Sequence, residues 1–285
     1  MSDLRLATRR STLAMAQAEI VAKALADEGV STSLVPVATS GDRDRTSPVS
    51  ALSEVGAFVR GVQQAVLDGR ADVAIHSCKD LPVEGPAELV SFYPLRGPVR
   101  DVLCGSTPLR LAARARVGTG SPRRSAQLRI LREDLDVVGV RGNVETRLGR
   151  VASGEVAAVV LAEAGLVRLG LSERIDHAFD VGEMVPAPAQ GALAVEVRRS
   201  AGGAVEALAA IDDPATRRAV EAERLLLART GAGCRSALGA HAVVGDDGGI
   251  RMRGFVEDER GPRTAEISGD DPGGAASRLQ EALAL

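Results

Sequence analysis

The stretch "ARVGTGSPRRSAQLRIL", residues 115–131, decides the architecture of this chain. A short apolar run stops at a Thr-Gly turn. Ser121 then stands where a helix N-cap belongs, and Pro122 occupies the first helical position, where its missing N–H is no loss. The segment therefore predicts a strand running directly into a helix. The same grammar recurs outward from it. "LRLAT" (4–8) leads to Ser11, a capping residue, and to a helix with an apolar stripe at Ala14, Ala18, Val21 and Leu25 that stops at Gly29. "DVVGV" (136–140) leads to a helix capped by Asn143 and stopped by Gly154. "TSLVPVAT" (32–39) predicts a further strand, and residues 57–67 a further helix. "ADVAIHS" (71–77) and "EVAAVVLA" (155–162) are nearly continuous apolar runs, the pattern of strands buried on both faces. Repeated βα units predict an α/β fold with mostly parallel sheets. Between them "SGDRDRTSPVSALSEVG" (40–56) predicts a polar loop.

The grammar changes after residue 213. Asp213-Pro214 predicts a capped helix reaching Thr230. Short strands follow at "AHAVVG" (240–245), "IRMRGFVED" (250–258) and "RTAEISG" (263–269), with "GDDGG" as a hairpin turn, and "AASRLQEALAL" (275–285) predicts a closing helix. That is a small α+β domain behind two α/β units, and clefts between domains are natural ligand sites.

Composition narrows the function. The 285 residues are 45% hydrophobic and 26% charged, as in ordinary globular proteins. The start "MSDLRLATRR" has no apolar segment of the kind a secretory signal needs, and no apolar run approaches the ~18 residues of a membrane span. Cys78, Cys104 and Cys234 are odd in number and show no CxxC spacing, and His76, His177 and His241 lie at no metal-ligand spacing from them. Neither a disulfide framework nor a zinc site is expected, and a reducing cytoplasm is the expected setting. With no Trp, one Tyr, four Phe and a net charge of −3, the chain lacks a base-stacking platform and a basic field, so no nucleic-acid partner is expected.

All but two of the 35 basic residues are arginines, the exceptions being Lys23 and Lys79. Base composition of the genome accounts for the count but not for the positions. Arg9 and Arg10, Arg123 and Arg124, and Arg141 and Arg147 all sit where a strand passes into a helix. A helix N-terminus favours anions, arginine adds a planar fork matched to carboxylate or phosphate, and these junctions lie at the ligand-binding edge of open α/β sheets. No GxxxxGK[ST] occurs, which removes the nucleotide P-loop. A ligand with several carboxylates fits better than solvated salt bridges at three such junctions. "HSCKDLP" (76–82) puts Lys79 and Asp80 at the same kind of edge. Asp80 is then either a cap of the following turn or a carboxylate that steadies a cationic intermediate and relays a proton. His76 and Cys78 have no third group to orient them as a catalytic pair, so Cys78 and Cys104 read as packing residues. "GAGC" alone leaves Cys234 open: a packed thiol, a nucleophile, a metal ligand or a point of attachment.

"LATRRSTLA", "HSCKDLP", "GTGSPRRSAQL", "RGNVETRL", "LAEAGLVRLGL", "PAPAQGALAVE" and "GAGCRSALG" stand in this order over some four-fifths of the chain. In them the chain resembles the porphobilinogen deaminases, or hydroxymethylbilane synthases. The resemblance implies two domains like periplasmic-binding-protein lobes and a small α+β C-terminal domain. The expected boundaries are 1–95 with 192–210, then 96–191, then 211–285. It implies a transferase of tetrapyrrole (haem) biosynthesis that joins four porphobilinogen molecules head to tail into linear hydroxymethylbilane with release of ammonia. The primer it implies is a dipyrromethane cofactor held by a thioether.

Residue by residue, the resemblance makes Cys234 the attachment cysteine, Asp80 the catalytic aspartate and Lys79 its basic neighbour. Arg9, Arg123, Arg124, Arg141, Arg147 and Arg168 match arginines that hold acetate and propionate side chains. Ser11, Ser77, Thr119, Ser121, Asn143, Thr146, Gln190 and Gly191 fall in cofactor- or substrate-contacting motifs. No metal, membrane or macromolecular partner is implied, and a monomer is expected. Val55 stands where a basic residue is common, Arg60 where lysine is common, Ala189 where glycine is usual and Ala237 where proline is usual. Two other readings compete. A two-lobed anion receptor would need no Asp80 or Cys234 chemistry, and a cysteine hydrolase would need a histidine near Cys234, for which His241 is the nearby candidate in sequence.

Overall fold

The computed structural model describes residues 3–38, 57–231 and 237–285. The predicted loop at 40–56 with Val55, and Cys234 with its flanking residues, lie outside the described residues. The chain divides into two compact units, Met1–Arg96 with Ala192–Arg217 and Gly97–Gly191 with Arg218–Leu285.

The first unit begins with β1 (Leu4–Arg9), α1 (Thr12–Asp27), β2 (Thr32–Val37), α2 (Ala57–Leu67), β3 (Val73–Ser77) and β4 (Leu89–Phe92). The Ser11 hydroxyl accepts the Ala14 N–H at 3.3 Å, so α1 starts where the sequence predicted. Strand alternation gives the sheet two apolar faces. Leu6, Val73 and Ile75 meet Ala18, Val21 and Leu25 of α1 on one face. Ala7 and Ala74 meet Val62, Ala65 and Val66 of α2 on the other. A fully buried leucine such as Leu25 contributes about 1.5–3 kcal/mol by leaving water.

The second unit holds β5 (Asp101–Cys104), β6 (Arg116–Gly118), α3 (Pro122–Leu131), β7 (Asp136–Val138), α4 (Val144–Ala152), β8 (Ala158–Ala162), α5 (Glu163–Arg168) and β9 (His177–Ala178). The chain then supplies the first unit with β10 (Leu193–Arg198) and α6 (Gly202–Ala210). The strand orders are β2-β1-β3-β10-β4 and β7-β6-β8-β5-β9. In each, four strands run one way and the fourth in line runs against its neighbours. The two sheets thus share one topology, although β10 and β5 enter from different places in the chain. The second sheet is likewise apolar on both faces, with Leu103, Val117 and Val160 against Leu128 of α3. Val102 and Val159 face Leu148 of α4 and Leu166 of α5.

The C-terminal segment runs α7 (Pro214–Arg229), β11 (Ala237–Val244), β12 (Ile250–Asp258), β13 (Gly261–Gly269) and α8 (Pro272–Ala282). Its three strands form an antiparallel sheet, with the predicted turn closed by Gly245 N–H donating to Gly249 O at 2.8 Å. Ala219, Ala222 and Leu226 of α7 and Ala275, Ala276 and Leu279 of α8 share one core with that sheet. The last helix begins three residues before the predicted start because Asp271 caps it through the Gly274 N–H and Pro272 opens it. Among the described residues no helix is long and apolar enough to cross a membrane.

Candidate active site

In the first unit a cleft of about 90 Å³ opens where β1 and β3 end and α1 begins. Arg9, Ser11, Gln17, His76, Ser77 and Asp80 line it, so four predicted residues from two separate motifs meet there. Ser77 accepts a hydrogen bond from Gln17 Nε2 at 2.8 Å. Asp80 ends the single 3-10 turn Cys78–Asp80 that follows β3, and its side chain is exposed. Among the described residues its carboxylate accepts no hydrogen bond, so it does not cap the turn. Lys79 beside it is half-buried. His76 is buried, with Nε2 3.2 Å from Glu196 Oε2, which also accepts from Gln63 Nε2 at 2.8 Å. Cys78 is fully buried. Neither partner of the Cys–His pair is placed to act as one. A larger hollow of about 400 Å³ lies at the opposite edge of this sheet, between Val66, Asp72, Arg198 and the start of α6, and holds none of the predicted residues. Chemistry, not volume, marks the smaller cleft.

In the second unit the helix starts are built as predicted. Ser121 Oγ accepts the Arg124 N–H at 3.4 Å, and Asn143 Oδ1 accepts the Thr146 N–H at 2.8 Å and its hydroxyl at 2.6 Å. Thr119 Oγ1 accepts the Ser121 N–H at 3.2 Å. Arg147 donates its Nε–H to Gly142 O at 2.9 Å, and Arg141 is half-buried just before the helix.

Arg123 and Arg124 are not displayed at the surface. They are 3% and 6% exposed and converge on the fully buried Asp101, the first residue of β5. Arg123 Nη1 reaches Oδ2 at 2.6 Å, and Arg124 Nε and Nη2 reach Oδ1 at 2.9 and 2.7 Å. Gln190 Nε2 adds a bond to Oδ1 at 3.0 Å and another to Val99 O at 2.8 Å. Burial pushes the Asp101 carboxyl up, but the charges of the two arginines and the hydrogen bonds from Arg123 and Gln190 outweigh it and hold it well below the usual carboxylate range. With two guanidinium groups around one carboxylate, the cluster keeps a net positive charge. Arg123 Nε–H is buried without an acceptor.

Arg168 Nη2 donates to Gly191 O at 2.5 Å, its one hydrogen-bond partner among the described residues, and burial pushes its guanidinium down to about 10. Gly191 sits at φ +87°, and a Cβ there would come within 2.6 Å of the carbonyl oxygens of Gly97 and Pro98. Only glycine fits that approach.

Three buried carboxylates escaped sequence reasoning. Asp101 opens an otherwise apolar strand, Glu196 interrupts the apolar run 193–197, and Glu223 lies on the buried face of α7. A charge inside an apolar run was the available signal in each case.

Residues 4–205 match the family described as "Porphobilinogen deaminase, dipyromethane cofactor binding domain", and residues 217–284 match "Porphobilinogen deaminase, C-terminal domain". A porphobilinogen deaminase of Acidothermus cellulolyticus is 48% identical over 255 residues, covering 87% of this chain and 77% of that protein. One from Mycobacterium leprae is 43% identical over 294 residues, covering 99% and 93%. Among solved structures, a YaeC-family lipoprotein of Enterococcus faecalis covers 81% of this chain and 98% of its own at 16% identity and a TM-score of 0.43, a likeness too remote to carry anything further. Matched by both domains of one family over nearly its whole length, the chain belongs to the porphobilinogen deaminase family.

Proposed function

We propose that this chain condenses four porphobilinogen molecules head to tail into hydroxymethylbilane on a dipyrromethane primer, with Asp80 at the reacting carbon. The observation that carries the reading is the exposed, unengaged Asp80 carboxylate in one cleft with Arg9 and Ser11. Each porphobilinogen brings an acetate and a propionate. The aminomethyl nitrogen leaves as ammonia, the methylene carbon bonds to the free α-carbon of a pyrrole, and that carbon loses its proton. After four such steps the bond between primer and chain breaks, water adding its hydroxyl to the chain's methylene carbon and a proton returning to the primer's α-carbon. Asp80 faces the positive charge that builds on the methylene carbon as ammonia departs, and it carries the protons gained and lost. Arg9 and Ser11 orient substrate carboxylates beside it, Lys79 assists the chemistry, and Lys79 and Ser77 contact the cofactor.

The second unit suits an acidic primer. Its buried cationic excess, the orphaned Arg123 Nε–H and the desolvated Arg168 are all features a ligand carboxylate completes. Arg123, Arg124 and Arg147, with Thr119, Ser121, Asn143 and Thr146 at the helix starts, hold the cofactor's side chains, and Arg141, Arg147, Arg168, Gln190 and Gly191 bind substrate. When bound, the dipyrromethane supplies the pyrrole carbon to which the first substrate is joined. Cys234 holds it through a thioether. The proposed organisation is three domains, 1–95 with 192–210, 96–191 and 211–285, in a cytoplasmic monomer.

Incubation with porphobilinogen followed by intact-protein mass spectrometry tests this. Wild-type protein should carry two pyrrole units and gain further ones stepwise. Cys234→Ser should carry none, and an active, fully loaded Ser variant would contradict the assignment.

A further inference from the structure

We infer that Asp101 is the positioning residue of the anion site, its carboxylate fixing the planes of Arg123 and Arg124 so that their remaining N–H groups meet ligand carboxylates. The inference rests on the reading that these arginines hold the primer's acid groups, and adds a residue to it.

The argument starts from how poor a stabilising device the cluster is. Three ionised groups are almost wholly removed from water, and desolvation of each costs several kcal/mol. A buried ion pair generally does no better than packed apolar side chains, and here a second cation adds a charge with no counterion. The geometry, in contrast, over-determines direction. Both Asp101 oxygens are occupied: Oδ2 by Arg123, Oδ1 by Arg124 and Gln190. Each guanidinium is also tied to a backbone carbonyl, Arg123 to Val185 O at 2.6 Å and Arg124 to Val160 O at 3.0 Å. Gln127, one turn along α3, fixes the same Val185 by donating to its carbonyl at 3.1 Å and accepting its N–H at 2.7 Å. The forks are thereby locked before any ligand arrives, which removes the rotamer entropy that free arginines lose on binding. The Asp101 backbone is held in β5 by pairing with Ala162 of β8, and its carboxylate by the bonds from Arg123, Arg124 and Gln190.

The test compares full-length wild-type protein with Asp101→Asn, Asp101→Glu, Arg123→Leu and Arg124→Leu. The readouts are the fraction carrying cofactor by intact mass, KM and kcat of the loaded fraction for porphobilinogen, and the thermal midpoint. Asp101→Asn should lower the loaded fraction at least threefold and raise KM about tenfold, with kcat of the loaded fraction within threefold of wild type. Asp101→Glu keeps the charge but moves it outward by one methylene. It should unfold below the wild-type temperature, since the added methylene enters a fully buried site, and it should still show the raised KM. A merely structural residue would move the midpoint and leave KM alone. Wild-type loading and KM in both Asp101 variants, with the arginine variants impaired, would overturn the role of Asp101. Normal loading in both arginine variants would instead overturn the underlying reading. Should neither Asp101 variant fold, side-chain NMR of the wild-type protein decides. The Arg124 Nε–H should be protected from exchange whether or not substrate is present, and rapid exchange in both states would overturn the inference.

Discussion

Ala189 donates its backbone N–H to Glu223 Oε2 at 2.5 Å while held at φ 61°, a left-handed backbone that alanine adopts at a cost and glycine freely. This is the position at which the sequence departs from the family's usual glycine, and it immediately precedes Gln190.

Ala189→Gly should therefore raise stability by about 0.5–1 kcal/mol, the left-handed strain relieved slightly exceeding the extra freedom of the unfolded chain. Glu223→Ala should lower it by about 2–5 kcal/mol, since the N–H groups of Ala189 and Ala242 both lose a buried acceptor. Urea unfolding of both variants checks the pair. A destabilised glycine variant would contradict the strain argument.

Asp80→Asn should cut turnover about 10²–10⁴-fold and leave unfolding within about 0.5 kcal/mol of wild type. The side chain is exposed and engages nothing in the fold among the described residues, so its loss has no structural route to activity. Steady-state rates set beside a melting curve separate the two. Turnover near the wild-type value would remove Asp80 from the chemistry.

Arg168→Met should stabilise the cofactor-free protein by up to about 1 kcal/mol, because a half-buried, partly desolvated cation with a single backbone partner among the described residues is replaced by a neutral side chain. The same change should raise KM for porphobilinogen. Loss of stability without a change in KM would show that the arginine serves the Gly191 turn instead of the ligand.

The acid side of the stability profile should carry the signature of Asp101. Its carboxyl is held below the unfolded value, so the stabilisation is fully present above about pH 4 and is lost as pH falls through the folded value. The stability gap between wild type and Asp101→Asn should accordingly be widest at neutral pH and narrow below pH 4. Urea titrations between pH 7 and pH 3 measure it, and a gap independent of pH would contradict the ion-pair account.

What could be read from the sequence was what local chemistry governs. Ser11, Ser121, Asn143 and Asp213 all cap helices through their side chains because a cap needs only residues three apart. Asp80 could be placed at a strand end because an apolar run announces the strand. The two reversed strands escaped notice: "DVLC" has no helix beside it, the helix after "LAVEVR" opens with no side-chain cap to announce it, and their partners lie far along the chain. The destination of Arg123 and Arg124 was hidden for the same reason. Two arginines at a helix start look free until Asp101, more than twenty residues earlier, folds beneath them.

The place of β10 in the chain sets a timetable for synthesis. β4 pairs only with β10 among the described residues, and β10 is translated after every strand of the second unit's five-stranded sheet. A nascent chain thus leaves the ribosome with the edge of β3 and all of β4 unpaired for about 5–20 s at ordinary elongation rates. The second sheet, contiguous from β5 to β9, can close during that interval. Translation order therefore nests one five-stranded sheet inside the other: the sheet that begins first is the second to be completed.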